Sequence, residues 1–299
     1  MGMNIERGRS DIRMSIKLFS IILAVSLCGC VPARGAGDEG TKDTFSVMSY
    51  NIWDLAHKRP DVEDVVTVIK SGGVPDLILL QEVRGEAMAS KISEALGLPH
   101  CVYHGFNKRN YGVAIASRYP LTDSGFLGFK ASKTGRGALR GHITVNGRKV
   151  LVCSVHLDRI ESVKVEKGGV AISWGGALGM LTREITKETV RSRSVDELLD
   201  WVGAERVIVG GDFNTVPYSK AIRKMGSVFE DTLWETPDYL TGSYIKSTLP
   251  VDPRLDFLFY SKDLECLKGE VVRRTAGDHY PVRAVLRGTL LPSDFSRQD

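Results

Sequence analysis

From residue 45 onward the chain alternates short apolar runs with amphipathic stretches. Residues 45–53 read as a buried strand with a polar residue, Asn51, near its end. Residues 62–70 place Val62, Val65, Val66 and Ile69 at helical spacing, and Gly72–Gly73 closes the run. A strand is predicted over 76–83, a helix over 86–96 stopped by Gly97, and a further strand over 112–117. Residues 138–145 and 149–157 flank Asn146–Gly147, the favoured two-residue hairpin turn, and so predict an antiparallel pair. There follow a predicted helix over 182–202, a strand over 207–211, a short helical piece after Pro217, and strands over 255–260, 271–273 and 282–286. Hairpins mixed with intervening helices predict an α/β fold, a two-sheet β-sandwich flanked by helices in four α/β/β/α layers. One domain over 45–289 with a tail at 290–299 accounts for the pattern, since no internal repeat or second linker interrupts it. Its least regular part is 159–180, where glycines surround Trp174; such a stretch is an active-site loop or an unstructured insert.

The N-terminus follows another logic. Lys17 precedes an apolar run over 18–27, the length of a signal core and too short for a comfortable membrane span. Leu27–Cys28–Gly29–Cys30 then resembles a lipobox, in which the last Cys is acylated and becomes the mature N-terminus. The expectation is a lipoprotein signal over 1–29, a small, polar, Gly-rich tether over 30–44 beginning at the lipidated Cys30, and a monomer held at the bacterial cell envelope. Residues 1–29 carry four basic and two acidic residues, leaving only about +2 of the net charge of +4 on the rest. That is a weak footprint for a nucleic-acid binder, whose affinity comes largely from phosphate neutralisation. Beyond Cys30 the remaining Cys101, Cys153 and Cys266 form no disulfide framework, and Cys153 sits in a strand-like apolar run as a small buried hydrophobe. No Cys/His pair has zinc-ligand spacing.

The chemistry lies in polar residues of one kind at the ends of apolar runs: Asn51, Glu82, His156, Asp212 with Asn214, Asp256, and Asp278 with His279. Carboxylates and imidazoles there are costly to bury unless paired or bound to a metal, so their recurrence predicts convergence in one polar cleft. An oxygen-rich set suits Mg²⁺, or Mn²⁺, and phosphodiester cleavage needs a metal for the charge, a base for water and donors for the transition-state oxygens.

Six segments, Ser49–Tyr50–Asn51–Ile52–Trp53, Leu80–Gln81–Glu82–Val83, Ser154–Val155–His156–Leu157, Gly210–Gly211–Asp212–Phe213–Asn214, Arg254–Leu255–Asp256–Phe257 and Gly277–Asp278–His279–Tyr280–Pro281–Val282, resemble the ordered motifs of the endonuclease/exonuclease/phosphatase superfamily. Residues 112–120 resemble a further segment of it. Gly277 stands where Ser is usual in the family. The resemblance implies Glu82 as principal metal ligand, with Asn51 and Asp278 beside it. It implies that Asp212 and His279 position or deprotonate the attacking water, that Asp256 fixes the His279 imidazole, and that Asn214 and His156 donate to phosphate oxygens. Arg136 and Arg140 fit an alternating strand face as well as they fit phosphate contact, and His57, His100, His104 and His142 read as structural or exposed.

The superfamily includes nucleases, sphingomyelinases and inositol-phosphate phosphatases, and the shared core does not separate them. Modest charge and an envelope address favour a phosphoester on a lipid head group or small organic phosphate, with nucleic acid the less favoured substrate. An extracellular or periplasmic nuclease is the alternative reading, and an inactive lipid-anchored binding module the second.

Overall fold

The computed structural model describes residues 44–53, 61–106, 111–160, 165–166, 169–170, 174–203, 206–245 and 252–288. The expected signal segment, the tether with Cys30 up to residue 43, His57 and the 290–299 tail lie outside them.

Two six-stranded mixed sheets carry the fold. The first contains β1 (Thr44–Asn51), β2 (Leu77–Arg84), β3 (His100–Gly105), β4 (Tyr111–Ser117), β13 (Leu264–Val271) and β14 (Val282–Gly288), in the order β13-β14-β1-β2-β4-β3. The second contains β5 (Thr122–Gly128), β6 (Gly137–Val145), β7 (Arg148–His156), β10 (Val207–Asp212), β11 (Glu230–Asp231) and β12 (Asp256–Tyr260), in the order β11-β12-β10-β7-β6-β5. A small hairpin, β8 (Val165–Glu166) with β9 (Gly169–Val170), stands apart from both. Each large sheet has one parallel pair at its centre, β1–β2 in the first and β7–β10 in the second, so two strand C-termini in each sheet point the same way. β14 runs antiparallel to β1, pairing Ser49 with Val282 at one end and Thr44 with Arg287 at the other.

Apolar side chains from both sheets, among them Val47, Leu79, Ile115, Val152, Ile208 and Leu258, fill the space between them. On the outer face of the first sheet lie α1 (Val62–Lys70) and α2 (Glu86–Ala95), burying Val65, Ile69, Ala89 and Ile92. α4 (Val190–Val202) and α5 (Lys220–Val228) cover the second sheet with Val195, Leu198, Ile222 and Met225. The four layers predicted by the pattern are those observed. Asn146 and Gly147 have φ of +51° and +74°, as the predicted hairpin requires.

Local differences have local causes. The helix predicted over 182–202 is two helices, α3 (Trp174–Thr186) and α4, because Thr189 turns extended and caps α4 through a reciprocal box with Ser192. α3 begins inside the stretch read as an irregular loop, so residues 174–180 are helical despite their glycines. The strand expected at 271–273 lies earlier, at β13, and the half-buried β3 and the largely exposed β5 have too little apolar alternation to announce themselves.

Candidate active site

At the ends of the central strands the two sheets approach unusually closely, because small residues face each other there. A Cβ on Gly210 would meet Leu79 Cδ1 at 2.8 Å, Leu258 Cδ1 at 2.9 Å and Ser49 Cβ at 3.0 Å. Beside it a polar staple crosses the gap: Gln81 Nε2 donates to Ser154 Oγ (3.0 Å), which donates to Leu80 O (2.9 Å). The close approach lets strand-end side chains of opposite sheets touch.

Glu82 reaches the gap through a backbone irregularity. The β2–β4 register slips between Gln81 and Val83, and Glu82 sits in this bulge at φ +57°, an uncommon conformation for a residue with a side chain. Its Oε1 lies 3.5 Å from His156 Nε2, 3.4 Å from Arg136 Nη2 and 3.2 Å from Arg159 Nη2. Burial works against its charge, but His156, Arg159 and Arg136 outweigh that and hold the carboxyl below its ordinary range.

Asp212 ends β10 in a web of donors. Its Oδ2 accepts from Asn51 Nδ2 and Asn214 Nδ2, both at 3.0 Å, and its Oδ1 from Asn214 N at 2.8 Å. Burial opposes ionisation, yet the neighbouring His279 and His156 keep this carboxyl well below the carboxylate range. The His156 ring lies 3.4 Å from Asp212 Oδ2, long for a hydrogen bond, and burial together with the Arg136 charge lowers its basicity. Asn214, at φ +48°, gives its second amide hydrogen to Leu157 O (2.9 Å). Both of its hydrogens are thus engaged, and the side chain helps position Asp212. Asn51 Oδ1 accepts from Trp53 N (3.1 Å), which fixes its amide.

Asp256 opens β12 fully buried, and its Oδ2 accepts from Ser243 Oγ and meets His279 Nδ1, each at 2.7 Å. The other ring nitrogen, Nε2, lies 3.9 Å from both Asp212 Oδ2 and Asp278 Oδ1. Burial alone would lower the imidazole, but Asp256 and Asp212 raise it to about 10. Burial also pushes Asp256 up, with the imidazolium opposing it. The His279 shift is the one that Asp212 and Asp278 also support. Asp278 is pushed up to about 6 by burial and by Glu82, against the pull of His279. Gly277, just before it, packs so tightly that a Cβ would stand 1.9 Å from Trp53 O, so the usual Ser could not replace it without moving backbone.

These residues fit a hard divalent cation. Ligand atoms of Glu82, His156 and Asp212 lie within 4.8 Å of one another, as do those of Asp212, Asp256 and His279. Asp278 Oδ1 is buried and has no hydrogen-bond partner among the described residues. Carboxylates that raise one another's pKa around an unpartnered oxygen are the environment that a cation relieves. The nearest such groups therefore pair Glu82 with His156 and Asp212; Asn51 adjoins them through Asp212, and Asp278 lies at the same His279 Nε2 as Asp212.

The structure thus brings all eight sequence-predicted site residues of the domain to one edge. It adds Arg136, which pattern alone left balanced between strand face and phosphate contact, and Arg159 and Ser243, which pattern did not signal. Arg140 turns away and stacks on Trp201 at 4.2 Å. Carboxylates, histidines and amides meeting between two sheets make a site that can hold a hard cation and position a water. The sequence profile of the Endonuclease/Exonuclease/phosphatase family matches residues 48–294, and the chain belongs to that family. Among solved structures it is similar to an endonuclease/exonuclease/phosphatase from Beutenbergia cavernae (20% identity, 82% of this chain and 72% of that one, TM-score 0.63). It is similar also to the human Nocturnin catalytic domain with bound sulfate (18%, 82% and 95%, 0.59). A third likeness is to D. rerio TDP2 complexed with a single-strand DNA product (15%, 82% and 99%, 0.59). At these identities the likeness is one of fold. No curated protein matches the sequence.

Proposed function

We propose that the protein is a Mg²⁺-dependent phosphoester hydrolase acting on a lipid head group or small organic phosphate, with Mn²⁺ as a substitute metal. The observation that carries this is the meeting, across the sheet gap, of ionised Asp212 with the Asp256-anchored His279 beside Glu82. Glu82, with Asn51 and Asp278 beside it, would hold the cation. A divalent cation there supplies positive charge to the phosphate oxygens and, by the same charge, disfavours the proton on His279. Asp212 Oδ2 and His279 Nε2, 3.9 Å apart, hold the attacking water and take its proton. Water oxygen bonds to phosphorus as the bond to the leaving oxygen breaks, and that oxygen is protonated in turn. Asp256 keeps the imidazole in one orientation and tautomer, Asn214 and Asn51 keep Asp212 aimed, and His156 faces the phosphate oxygens.

The test is Mg²⁺-dependent turnover of sphingomyelin, phosphoinositides, small organic phosphates and plasmid DNA, with chelator and His279→Ala as controls. Turnover confined to DNA would replace this reading with the nuclease alternative, towards which the likeness to TDP2 points. Mg²⁺ binding with no turnover of any substrate would leave an inactive binding module. Leu27–Cys28–Gly29–Cys30 supports an anchor at the bacterial envelope; Cys30→Ala should shift the protein out of the detergent phase, and unchanged partitioning would remove the anchor.

A further inference from the structure

Glu82 carries two guanidinium groups on a single oxygen, and the two are held differently. Arg136 is only 14% exposed, and its Nη1 donates to Leu157 O at 2.8 Å, so it is a fixed charge. Arg159 is 58% exposed at its side chain and reaches Glu82 Oε1 from the open side.

The backbone beneath this exposed head is pinned with unusual thoroughness. Arg191 Nη1 donates to both Asp158 O and Arg159 O, each at 3.0 Å. Arg191 is itself buried and gripped by Glu184, Nε to Oε2 at 2.9 Å and Nη2 to Oε1 at 2.6 Å, and Glu184 also accepts from Thr215 Oγ1 at 3.1 Å. The Asp158 carboxylate meanwhile accepts from Ser132 Oγ and Lys133 N, both at 2.9 Å, and from Thr134 Oγ1, fixing the turn that leads to Arg136. A buried ion pair is costly to assemble, and this one touches none of the site's carboxylates. Its effect is to set where two cationic heads stand while leaving one of them free to turn.

Two positive groups on one carboxylate oxygen exceed what neutralising Glu82 needs. A divalent cation at Glu82 would repel both. A guanidinium so displaced can take two oxygens of a substrate phosphate with its fork. We propose that Arg159 is the phosphate-recognition residue. It rests on Glu82 in the metal-free protein and turns onto the substrate's phosphate when metal is bound. The inference rests on the phosphoesterase reading and names a residue that recognises its substrate. It has a built-in reciprocity: the same side chain competes with metal in the absence of phosphate and favours metal in its presence, so the two affinities are linked.

The experiment uses the full chain, Arg159→Gln and Arg159→Lys. Mn²⁺ binding is followed by loss of the free-ion paramagnetic resonance signal, and inorganic phosphate is then titrated calorimetrically into the Mn²⁺-saturated proteins. Arg159→Gln should bind Mn²⁺ about two- to fivefold more tightly, the size of a half-exposed ion pair lost as a competitor. It should bind phosphate about tenfold or more weakly, the size of a charge-assisted hydrogen bond. Arg159→Lys should restore part of the phosphate affinity, keeping charge without the fork. In turnover, Arg159→Gln should lower kcat/KM for a phosphoester substrate about tenfold. Weaker or unaltered Mn²⁺ binding, or unaltered phosphate binding, would overturn the role of Arg159. If the wild-type chain turns over no phosphoester, the phosphoesterase reading falls, while the two titrations, which need no turnover, still decide whether Arg159 binds phosphate.

Discussion

The two sheets contribute equally to the site and in different ways. Asn51, Glu82, Asp278 and His279 come from the first sheet, and His156, Asp212, Asn214 and Asp256 from the second. On the second-sheet side the carboxylates are already furnished with donors: Asp212 by two amides and a backbone N–H, Asp256 by Ser243 and His279. On the first-sheet side Glu82 sits in a strained bulge with Arg136, Arg159 and His156 around its Oε1, and Asp278 Oδ1 has no hydrogen-bond partner among the described residues. The second half orients the reacting groups, although Asp256 Oδ1 and both His156 ring nitrogens also lack hydrogen-bond partners among the described residues, and the first presents Glu82 and Asp278 to a charge from outside. This is a division of labour: orientation of the reacting groups is settled within the second sheet, and capture of an external cation falls to the first.

Separating those duties by mutation would break or sharpen the comparison. The largest effect should come from the pair that joins the sheets. His279→Ala should lower the catalytic rate by about 10² to 10⁴-fold with Mg²⁺ saturating, the usual contribution of an acid–base group, while Mn²⁺ affinity changes far less. Asp256→Asn should cost less, and the double mutant should match His279→Ala, because groups that act as a unit do not add. Multiplicative losses would dissolve the pairing. Next in size, Glu82→Gln should weaken Mn²⁺ binding about tenfold or more, with turnover partly recovered at high Mg²⁺. A pure rate loss at unchanged metal affinity would assign Glu82 to the orienting half instead.

Two smaller effects probe the gap itself. Gly210→Ala should destabilise the fold by about 1–3 kcal/mol in denaturant titration, the usual cost of forcing a methyl into a packed core, since its Cβ would press on Leu79, Leu258 and Ser49. Wild-type stability would mean that the sheets have room to spare. The smallest effect is on pH dependence. His279 is raised from 6.5 to about 10 in the metal-free fold, so its stabilising contribution is complete below pH 6.5 and is lost as pH rises through 10. With chelator present, the melting temperature of the wild type should fall from pH 7 to pH 10 more steeply than that of His279→Ala. Parallel curves would show that the imidazolium is not held by its carboxylates.

Much of this was visible in the residues alone, for a physical reason. Asn51, Glu82, His156, Asp212, Asp256 and Asp278–His279 each interrupt or border an apolar run, and buried polarity at strand ends is too costly to be incidental. The sandwich followed from the same runs and from the Asn146–Gly147 turn. Other features left no trace. Apolar spacing carries on through Leu181, Leu198 and Val202 as though one helix held them, and only the Thr189–Ser192 capping box breaks it. Arg136 lies in a stretch where an alternating strand face explains a basic residue equally well. Arg159 falls in a segment without periodicity, and its place at Glu82 depends on Arg191 and Glu184, distant in sequence and silent as a pattern. That Asn214 spends both amide hydrogens on Leu157 and Asp212 is a matter of geometry no motif records.

The pairing of β1 with β14 has a consequence for handling the molecule. β1 enters at Thr44 and delivers Asn51 to the site about 23 Å further on, at the usual rise of a strand. β14 starts beside the site and runs back until Arg287 lies opposite Thr44. Both ends of the domain therefore leave side by side from the pole remote from catalysis. A chain rejoined there by a short linker and reopened at an exposed surface turn would be a circular permutant with its catalytic edge untouched. A bead or surface coupled at either end would hold the molecule with its working edge turned outward.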